Sequence, residues 1–327
     1  MQAVLVKSPG GSDQLYLGQA PDPQLKEHQV LVKIKAAGVN RADTLQRRGQ
    51  YPPPPGESDI LGLEMAGEVV EAGPGCERLK PGDKVFGILS GGGYAEYVAL
   101  DEGLAMPIPE GIAFEQAAGM AEVFLTAYQA LFWLGRLQPG ENVLIHAGAS
   151  GVGTAATQLA KLAGARVLVT ASSQEKLKAC RALGADVGIN YKQEDFPTRV
   201  MEATGKHGAD VLIDFIAAAY YQRNLASLAL DGRMVMLAFI GGHLAESVDL
   251  RPMLTKRITV MGTTLRSRAL DYRVRLSREF TDKYLAKFTS GELKPVLDSV
   301  IPWSDVRAAH ERIEANLNVG KIILRIS

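Results

Sequence analysis

The sequence predicts an α/β protein built from two domains, a compact irregular β-barrel and a doubly wound parallel sheet. Three observations predict it. The N-terminal third carries short strand-like runs divided by turn signals such as Pro9-Gly10-Gly11, Pro81-Gly82-Asp83 and Gly91-Gly92-Gly93. From about Phe114 onward β and α segments alternate, which is the signature of a parallel sheet covered by helices. Between them lies the stretch Val143–Lys161, VLIHAGASGVGTAATQLAK, around which the rest is organised.

That stretch opens with the apolar run Val143-Leu144-Ile145, which suits a buried parallel strand. A turn nearly free of side chains follows, Gly148-Ala149-Ser150-Gly151-Val152-Gly153, with alanine at the middle glycine of a G-x-G-x-x-G pattern. From Val152 the apolar residues Ala155, Ala156, Leu159, Leu162 and Ala163 fall on one helical face. Strand, turn and helix together make a phosphate-binding unit. Backbone N–H groups of Gly148, Ser150, Gly151, Val152 and Gly153 can approach a pyrophosphate, helped by the positive end of the helix.

The remaining elements follow in order. Strands are expected at Ala3–Val6, Val30–Lys35, Gly67–Glu71, Lys84–Gly87 and Ala95–Leu100, with a stiff extended loop at Tyr51–Gly56. A continuous helix is expected over Glu115–Leu134. The alternating region then gives strands at Val143–His146, Arg166–Thr170, Val187–Asn190, Asp210–Phe215 and Arg233–Ala238. Its helices are Val152–Ala163, Gln174–Leu183 and Ala219–Ala229, and a last strand-like run, Ile258–Gly262, closes it. The tail predicts a helix at Tyr272–Ser290, a strand at Val296–Ile301, a helix at Ser304–Asn316 and a strand at Lys321–Ile326. With no linker before it, this tail is expected to complete the first domain. The domains are therefore 1–120 with 264–327, and 121–263.

Composition narrows the function. Among 327 residues Lys+Arg and Asp+Glu both number 36, and no charged block or basic stripe occurs, which argues against a nucleic-acid or anionic-membrane surface. Met1–Pro9 has no basic-plus-apolar leader, and the most apolar long segment, Ala117–Leu134, is interrupted by Glu122 and other polar residues. Cys76 and Cys180 have no metal-like spacing, so a reducing, cytoplasmic setting is expected. The five histidines do not cluster in sequence near a nucleophile; His146, inside the strand before the phosphate turn, reads as structural, and Cys180 as packing.

Four further motifs carry a resemblance: Ala37–Asp43 (AGVNRAD), Leu61–Val69 (LGLEMAGEV), Gly92–Val98 (GGYAEYV) and Gly320–Leu324 (GKIIL). With the nucleotide turn they span nearly the whole chain. The sequence resembles the zinc-free quinone oxidoreductase branch, zeta-crystallin-like, of the medium-chain dehydrogenases/reductases. That resemblance implies a GroES-like barrel around an inserted Rossmann domain, with the cofactor in the cleft between them. Zinc-dependent relatives place a cysteine where this chain has Asn40 and a histidine where it has Leu63, and leucine has no donor atom at all. The four-cysteine structural lobe of those relatives is also absent, so no metal is expected.

The choice of nicotinamide cofactor rests on the strand Arg166–Thr170. NAD-specific sites put an Asp or Glu at its tip. Here the tip reads Ala171-Ser172-Ser173-Gln174-Glu175-Lys176, which offers hydroxyls and a lysine to a 2′-phosphate. NADPH is the expected cofactor, and the resemblance adds Tyr191 near that phosphate. A structural reading stands beside it: Ser172 and Glu175 also form a capping box, Lys176 suits a solvated first turn, and Tyr191 suits a strand-end aromatic.

By resemblance Asn40, Asp43 and Thr126 lie at the nicotinamide end, although Asn40 and Asp43 equally suit organising the turn Gly38–Thr44. Phe239, Gly241 and Gly242 suit close backbone approach to the nicotinamide. Thr264, Leu265 and Arg266 resemble the segment lining the cofactor's far side, and Asn318 is a candidate from the tail. With no covalent machinery in view, the expected chemistry is positioning, with a hydride or two single electrons passing to a quinone. Tyr51 is the candidate substrate contact, by bonding or stacking. An enone or alkenal double-bond reductase is the alternative, with Tyr51 as its proton donor, and a crystallin- or RNA-binding-like NADPH-binding role is the remaining one. Arg257–Gly262 is expected at a sheet edge, and a homodimer is expected to pair it.

Overall fold

The computed structural model describes residues 1–326. It divides into two compact units, one of Met1–Leu125 together with the segment from Leu265 on, the other Thr126–Thr264. In chain order the first unit contributes β1 (Gln2–Val6), β2 (Leu15–Gln19), β3 (Gln29–Val39), α1 (Arg41–Arg47), β4 (Glu64–Ala72), β5 (Lys84–Ile88), β6 (Tyr97–Asp101), β7 (Ala105–Pro107) and α2 (Phe114–Ala117). Helix α3 (Ala121–Tyr128) and a π-helical turn (Gln129–Leu134) lead into the second unit. That unit holds β8 (Asn142–Ile145), α4 (Gly151–Leu162), β9 (Arg166–Ala171), α5 (Gln174–Ala182), β10 (Val187–Asn190), α6 (Phe196–Ala203), β11 (Ala209–Asp214), α7 (Tyr221–Ser227), β12 (Leu228–Met236), α8 (Arg251–Thr255) and β13 (Thr259–Gly262). The chain ends in α9 (Leu270–Thr289), β14 (Leu297–Pro302), α10 (Val306–Glu314) and β15 (Lys321–Arg325).

The first unit is built on a seven-stranded sheet ordered β14-β15-β3-β4-β5-β7, with β6 also pairing β3. Strand β3 makes this possible. Its first half alternates half-buried and buried residues, while Ala36–Val39 are buried without alternation, because there it is flanked by β4 and β15. Register shifts at Leu31/Val32 and Ile34/Ala36 bend it, as β-bulges do. Pairing of β15 with β3 ties the tail into this unit.

The second unit is a six-stranded, all-parallel sheet ordered β10-β9-β8-β11-β12-β13. Numbered from β8, that is the order 3-2-1-4-5-6 of a dinucleotide-binding sheet, whose ligand crevice lies beyond the carboxyl ends of the two strands at the switch point, β8 and β11. Leu144, Leu168, Leu212 and Met234 from adjacent strands meet Phe196, Val200 and Leu225 from α6 and α7 in its core. Strand β13 is an edge strand.

Several expected elements differ. The helix predicted over Glu115–Leu134 is broken: α2 stops at Ala117, a turn through Gly119 follows, and the run ends in π-helix. By length and composition Phe114–Leu134 is apolar enough to cross a membrane, but it is largely buried within the protein as core. The helix predicted from Ala219 begins at Tyr221, because Ala217 holds a left-handed φ of 63° and starts a separate 3₁₀ turn. Helix α6, with Asp195 accepting from the Thr198 N–H and Pro in its first turn, was legible as a cap-plus-proline start but lies outside the predicted elements.

Candidate active site

In the second unit the phosphate turn forms as its residue types require. Ser150 is the N-cap of α4, its Oγ accepting from the Gly153 N–H at 3.1 Å. First-turn N–H groups have no acceptor within a helix, so this cap leaves those of Gly151 and Val152 for a ligand. The Ser150 Oγ accepts in this cap and keeps its O–H free to donate. A Cβ on Gly153 would stand 2.4 Å from the Ala147 carbonyl oxygen and 2.7 Å from that of Gly148, and one on Gly148 would strike Val169. Only glycine lets turn, helix and strand close together here.

Two residues at the switch point carry a signal that the sequence does not show. Ala147, after β8, has φ 47°, and Ala217, after β11, has φ 63°. Left-handed alanine costs on the order of 1–2 kcal/mol, and such strain gathers at functional sites. Asp214 holds the second turn, its carboxylate accepting from the N–H groups of Ile216 at 2.8 Å and Ala217 at 3.1 Å. His146 is fully buried between Thr170 (2.9 Å) and Asn224 (2.8 Å), and burial lowers its pKa, so it is a packed neutral ring.

At the tip of β9 the capping role falls on Ser173, whose Oγ accepts from the Lys176 N–H at 3.3 Å. Ser172, the cap in the alternative structural reading, is half-buried and bonded to nothing among the described residues. Glu175, the nearest carboxylate on this helix, is exposed in the first turn of α5. Tyr191 is 37% exposed; its N–H donates to the Ala171 carbonyl at 3.3 Å, which brings it to the same strand tip. Hydroxyls and an aromatic ring converge there with no acid at the strand end, and these residues fit a 2′-phosphorylated dinucleotide. Elsewhere in this unit the Thr126 hydroxyl is buried without a partner among the described residues. Phe239 is 62% exposed, and the backbone of Gly241 lies so close to Ile216 that a Cβ would stand 2.6 Å from its side chain. Gly242 adopts φ 99°, and Thr264 is exposed.

In the first unit the structure assembles a buried polar cluster that sequence reasoning missed. Lys321 on β15, 4% exposed at its side chain, places Nζ 2.7 Å from Glu64 Oε1, 2.7 Å from the Val39 carbonyl and 2.8 Å from Asn40 Oδ1. The Asn40 amide donates to Glu64 Oε1 at 3.1 Å. Asp43 is fully buried and accepts from the Asn40 N–H (2.7 Å), the Tyr94 hydroxyl (3.0 Å) and the Gly62 N–H (3.2 Å). Burial is the largest influence on it and pushes its pKa up to about 6. Asp43 is thus enclosed and orients Asn40 and the start of α1. Gly38 permits the arrangement, since a Cβ there would lie 2.3 Å from Glu64 Oε1.

Lys321 occupies a cation seat among three oxygens, one of them from Asn40, and Leu63, which precedes Glu64 in the sequence, is buried and apolar. Among the described residues no group of three His, Cys, Asp or Glu side chains is placed to hold a metal ion. Cys180 is buried, and burial pushes its thiol up to about 11, which makes it packing.

Around this cluster Arg266 is 5% exposed, with Nε donating to the Ser90 carbonyl at 2.7 Å and Nη1 to the Tyr51 carbonyl at 3.3 Å. Its guanidinium lies 5.3 Å from the Tyr51 ring centroid, while its Nη2 is buried without a partner among the described residues. Tyr51 is half-buried, and burial first, then the Glu122 charge, raise its phenol. Leu265 is buried. Asn318, half-buried, spends its amide on the Gly320 carbonyl at 2.8 Å.

A barrel of this order joined to a 3-2-1-4-5-6 parallel sheet with a phosphate turn after its first strand defines the medium-chain dehydrogenase/reductase class. Residues 26–110 match the alcohol dehydrogenase GroES-like domain and residues 151–281 the zinc-binding dehydrogenase family. Quinone oxidoreductase of Rattus norvegicus is 32% identical over 99% of this chain and 97% of its own length. The crystal structure of Escherichia coli quinone oxidoreductase complexed with NADPH shares 29% identity over the whole of both chains at a TM-score of 0.90. CurK enoyl reductase shares 25% identity over 100% of this chain and 99% of its own, at a TM-score of 0.87. The chain belongs to the quinone oxidoreductase family of medium-chain dehydrogenases/reductases, and it is an oxidoreductase.

Proposed function

We propose that this protein is an NADPH-dependent, zinc-independent quinone oxidoreductase. The observation that supports the reading is the tip of β9, which ends without a carboxylate and runs into Ser172 and the Ser173 cap of α5, with the Tyr191 N–H bonded to Ala171; Ser172, Ser173, Lys176 and Tyr191 are the residues offered to the 2′-phosphate. The full-length likeness to quinone oxidoreductases supports the choice of acceptor.

In this reading the N–H groups of Gly151 and Val152 hold the pyrophosphate, and the β9 tip holds the 2′-phosphate. Thr126, Asn40, Phe239, Gly241, Gly242 and Thr264 bind the nicotinamide end. When bound, NADPH supplies a hydride or two successive electrons. Tyr51 and Arg266 form the wall against which a planar acceptor stacks, and Asp43 and Lys321 fix Asn40 from behind. No Lewis acid is needed, because a quinone is already electrophilic. The protein works as a cytoplasmic homodimer that pairs the exposed edge of β13.

A second reading, reduction of an enone or alkenal double bond, has one observation in its favour, the similarity to CurK enoyl reductase. The test is NADPH oxidation with a small ortho-quinone, compared with NADH and with an enone. Turnover of NADPH and quinone, faint with NADH, is expected. Turnover only with the enone replaces the first reading by the second, and no turnover with either rejects both.

A further inference from the structure

The proposed reductase chemistry leaves one proton unassigned. Two-electron reduction of a quinone leaves an anionic oxygen that must be protonated. Glu122 stands out against the rest of the molecule. It lies in the first turn of α3, in the most apolar helical stretch of the chain. Its backbone N–H donates to Glu64 Oε2 at 2.9 Å, which anchors it to the Lys321 cluster. Its own carboxyl is different. Among the described residues it makes no hydrogen bond or ion pair, and its oxygens are not sealed from solvent.

The charged groups facing Glu122 come from every neighbouring element. Glu64 on β4 and Asp43 on α1 oppose its ionisation, while Lys321 on β15 and Arg266 favour it, and Arg273 on α9 and the Tyr51 phenol also feel its charge. Poor hydration outweighs all of them, and the carboxyl is pushed up to about 8, so it carries its proton at neutral pH. Tyr51, by contrast, has a phenol raised above its already high ordinary value. Glu122 is the better acid of the two. The buried Nη2 of Arg266 adds a donor that lacks an acceptor, which a bound carbonyl oxygen would satisfy.

We propose that Glu122 is the general acid of this enzyme, handing its proton to the acceptor oxygen that Arg266 Nη2 binds. The inference rests on the reductase reading above. In the step, the Glu122 carboxyl O–H bond breaks as an O–H bond forms on the reduced acceptor oxygen. The electron pair left behind makes Glu122 a carboxylate, which recovers a proton from water. The acceptor is reduced at the expense of NADPH, which the reaction already supplies. The substrate class follows: a planar acceptor whose reduction leaves an anion on a carbonyl oxygen.

The experiment compares wild type and Glu122→Gln for NADPH binding by fluorescence titration and for reduction of a small ortho-quinone across pH. For the wild type kcat should fall above about pH 8. In Glu122→Gln that fall should vanish and kcat should drop roughly 100-fold or more, the usual worth of a general acid, with NADPH affinity unchanged. A variant that keeps wild-type kcat and pH profile while the wild type is active overturns the inference and leaves the reductase reading standing. A wild type that reduces neither quinone nor enone overturns both. If Glu122→Gln does not fold, the wild-type profile decides: a flat kcat from pH 6 to about 9.5 with no solvent deuterium isotope effect rejects the general acid.

Discussion

Replacing Lys321 by methionine tests whether its ammonium is the internal cation of the first unit. The pair Lys321–Glu64 is 4% and 0% exposed at its side chains and closes at 2.7 Å. At that separation and an effective dielectric of about 20, the attraction is roughly 6 kcal/mol before desolvation is subtracted. Removing only the lysine leaves Glu64 charged and enclosed, and breaking a buried pair from one side typically costs about 3–5 kcal/mol. For a domain of this size, each kcal/mol moves the melting temperature by roughly 2–4 °C, so Lys321→Met should lower it by roughly 6–20 °C. The double variant Glu64→Gln/Lys321→Met removes both charges and should recover most of that loss, since the amide oxygen can still accept from the Glu122 N–H while the amide NH2 donates to Asn40 Oδ1, which Lys321 no longer occupies. Thermal unfolding at pH 7 followed by circular dichroism measures both. A single variant shifted by less than about 2 °C, or a double variant no more stable than the single, would show that Lys321 is not the internal cation of this unit.

The remaining predictions concern the phosphate site and the titrating groups. Ser172→Asp puts a carboxylate at the tip of β9 and should weaken NADPH binding by about tenfold or more, some 1.4 kcal/mol, while sparing NADH; isothermal titration with both cofactors checks it. Gly153→Ala drives a Cβ to 2.4 Å from the Ala147 carbonyl and should cost about 1–3 kcal/mol of stability together with NADPH affinity, read from urea unfolding and titration. Glu122 at about 8 and Asp43 at about 6 both lie above their unfolded values of 4.5 and 3.8, so folding favours their neutral forms. The stability they contribute is full below those unfolded values and is lost as pH rises through about 6 and then about 8. Glu122→Gln should therefore gain on the wild type between pH 5 and 9. The gap is at most ~5 kcal/mol, reduced to on the order of 1–2 kcal/mol by solvent contact at the carboxyl, and melting curves across pH would show it.

Much of this architecture was legible because the signals are local. The run Val143–Ile145, the small-residue turn and the helical face from Val152 require no knowledge of distant contacts, and β8 and α4 form where they were expected. The capping role at β9 went to Ser173 rather than Ser172 because a cap is decided by one residue of backbone φ/ψ, which sequence spacing does not resolve. The Lys321 cluster was invisible for another reason. It joins β15 to β3 and β4, with Lys321 282 residues from Val39, and a lysine after a glycine reads as solvated until β15 is paired to β3. Glu122 looked like a polar interruption of an apolar helix, and only its placement beside Glu64 and Arg266 gives it chemistry. Ala147 and Ala217 carry left-handed strain that alanine does not announce.

Recognition of a 2′-phosphate by the acid-free tip of β9 decides the cofactor. The most direct measurement is a pair of fluorescence titrations on the same preparation, NADPH against NADH at matched ionic strength. NADPH should bind tighter by about tenfold or more, with the difference shrinking as salt screens the phosphate contacts. Equal affinities, or a preference for NADH, would mean that the β9 tip does not recognise the 2′-phosphate.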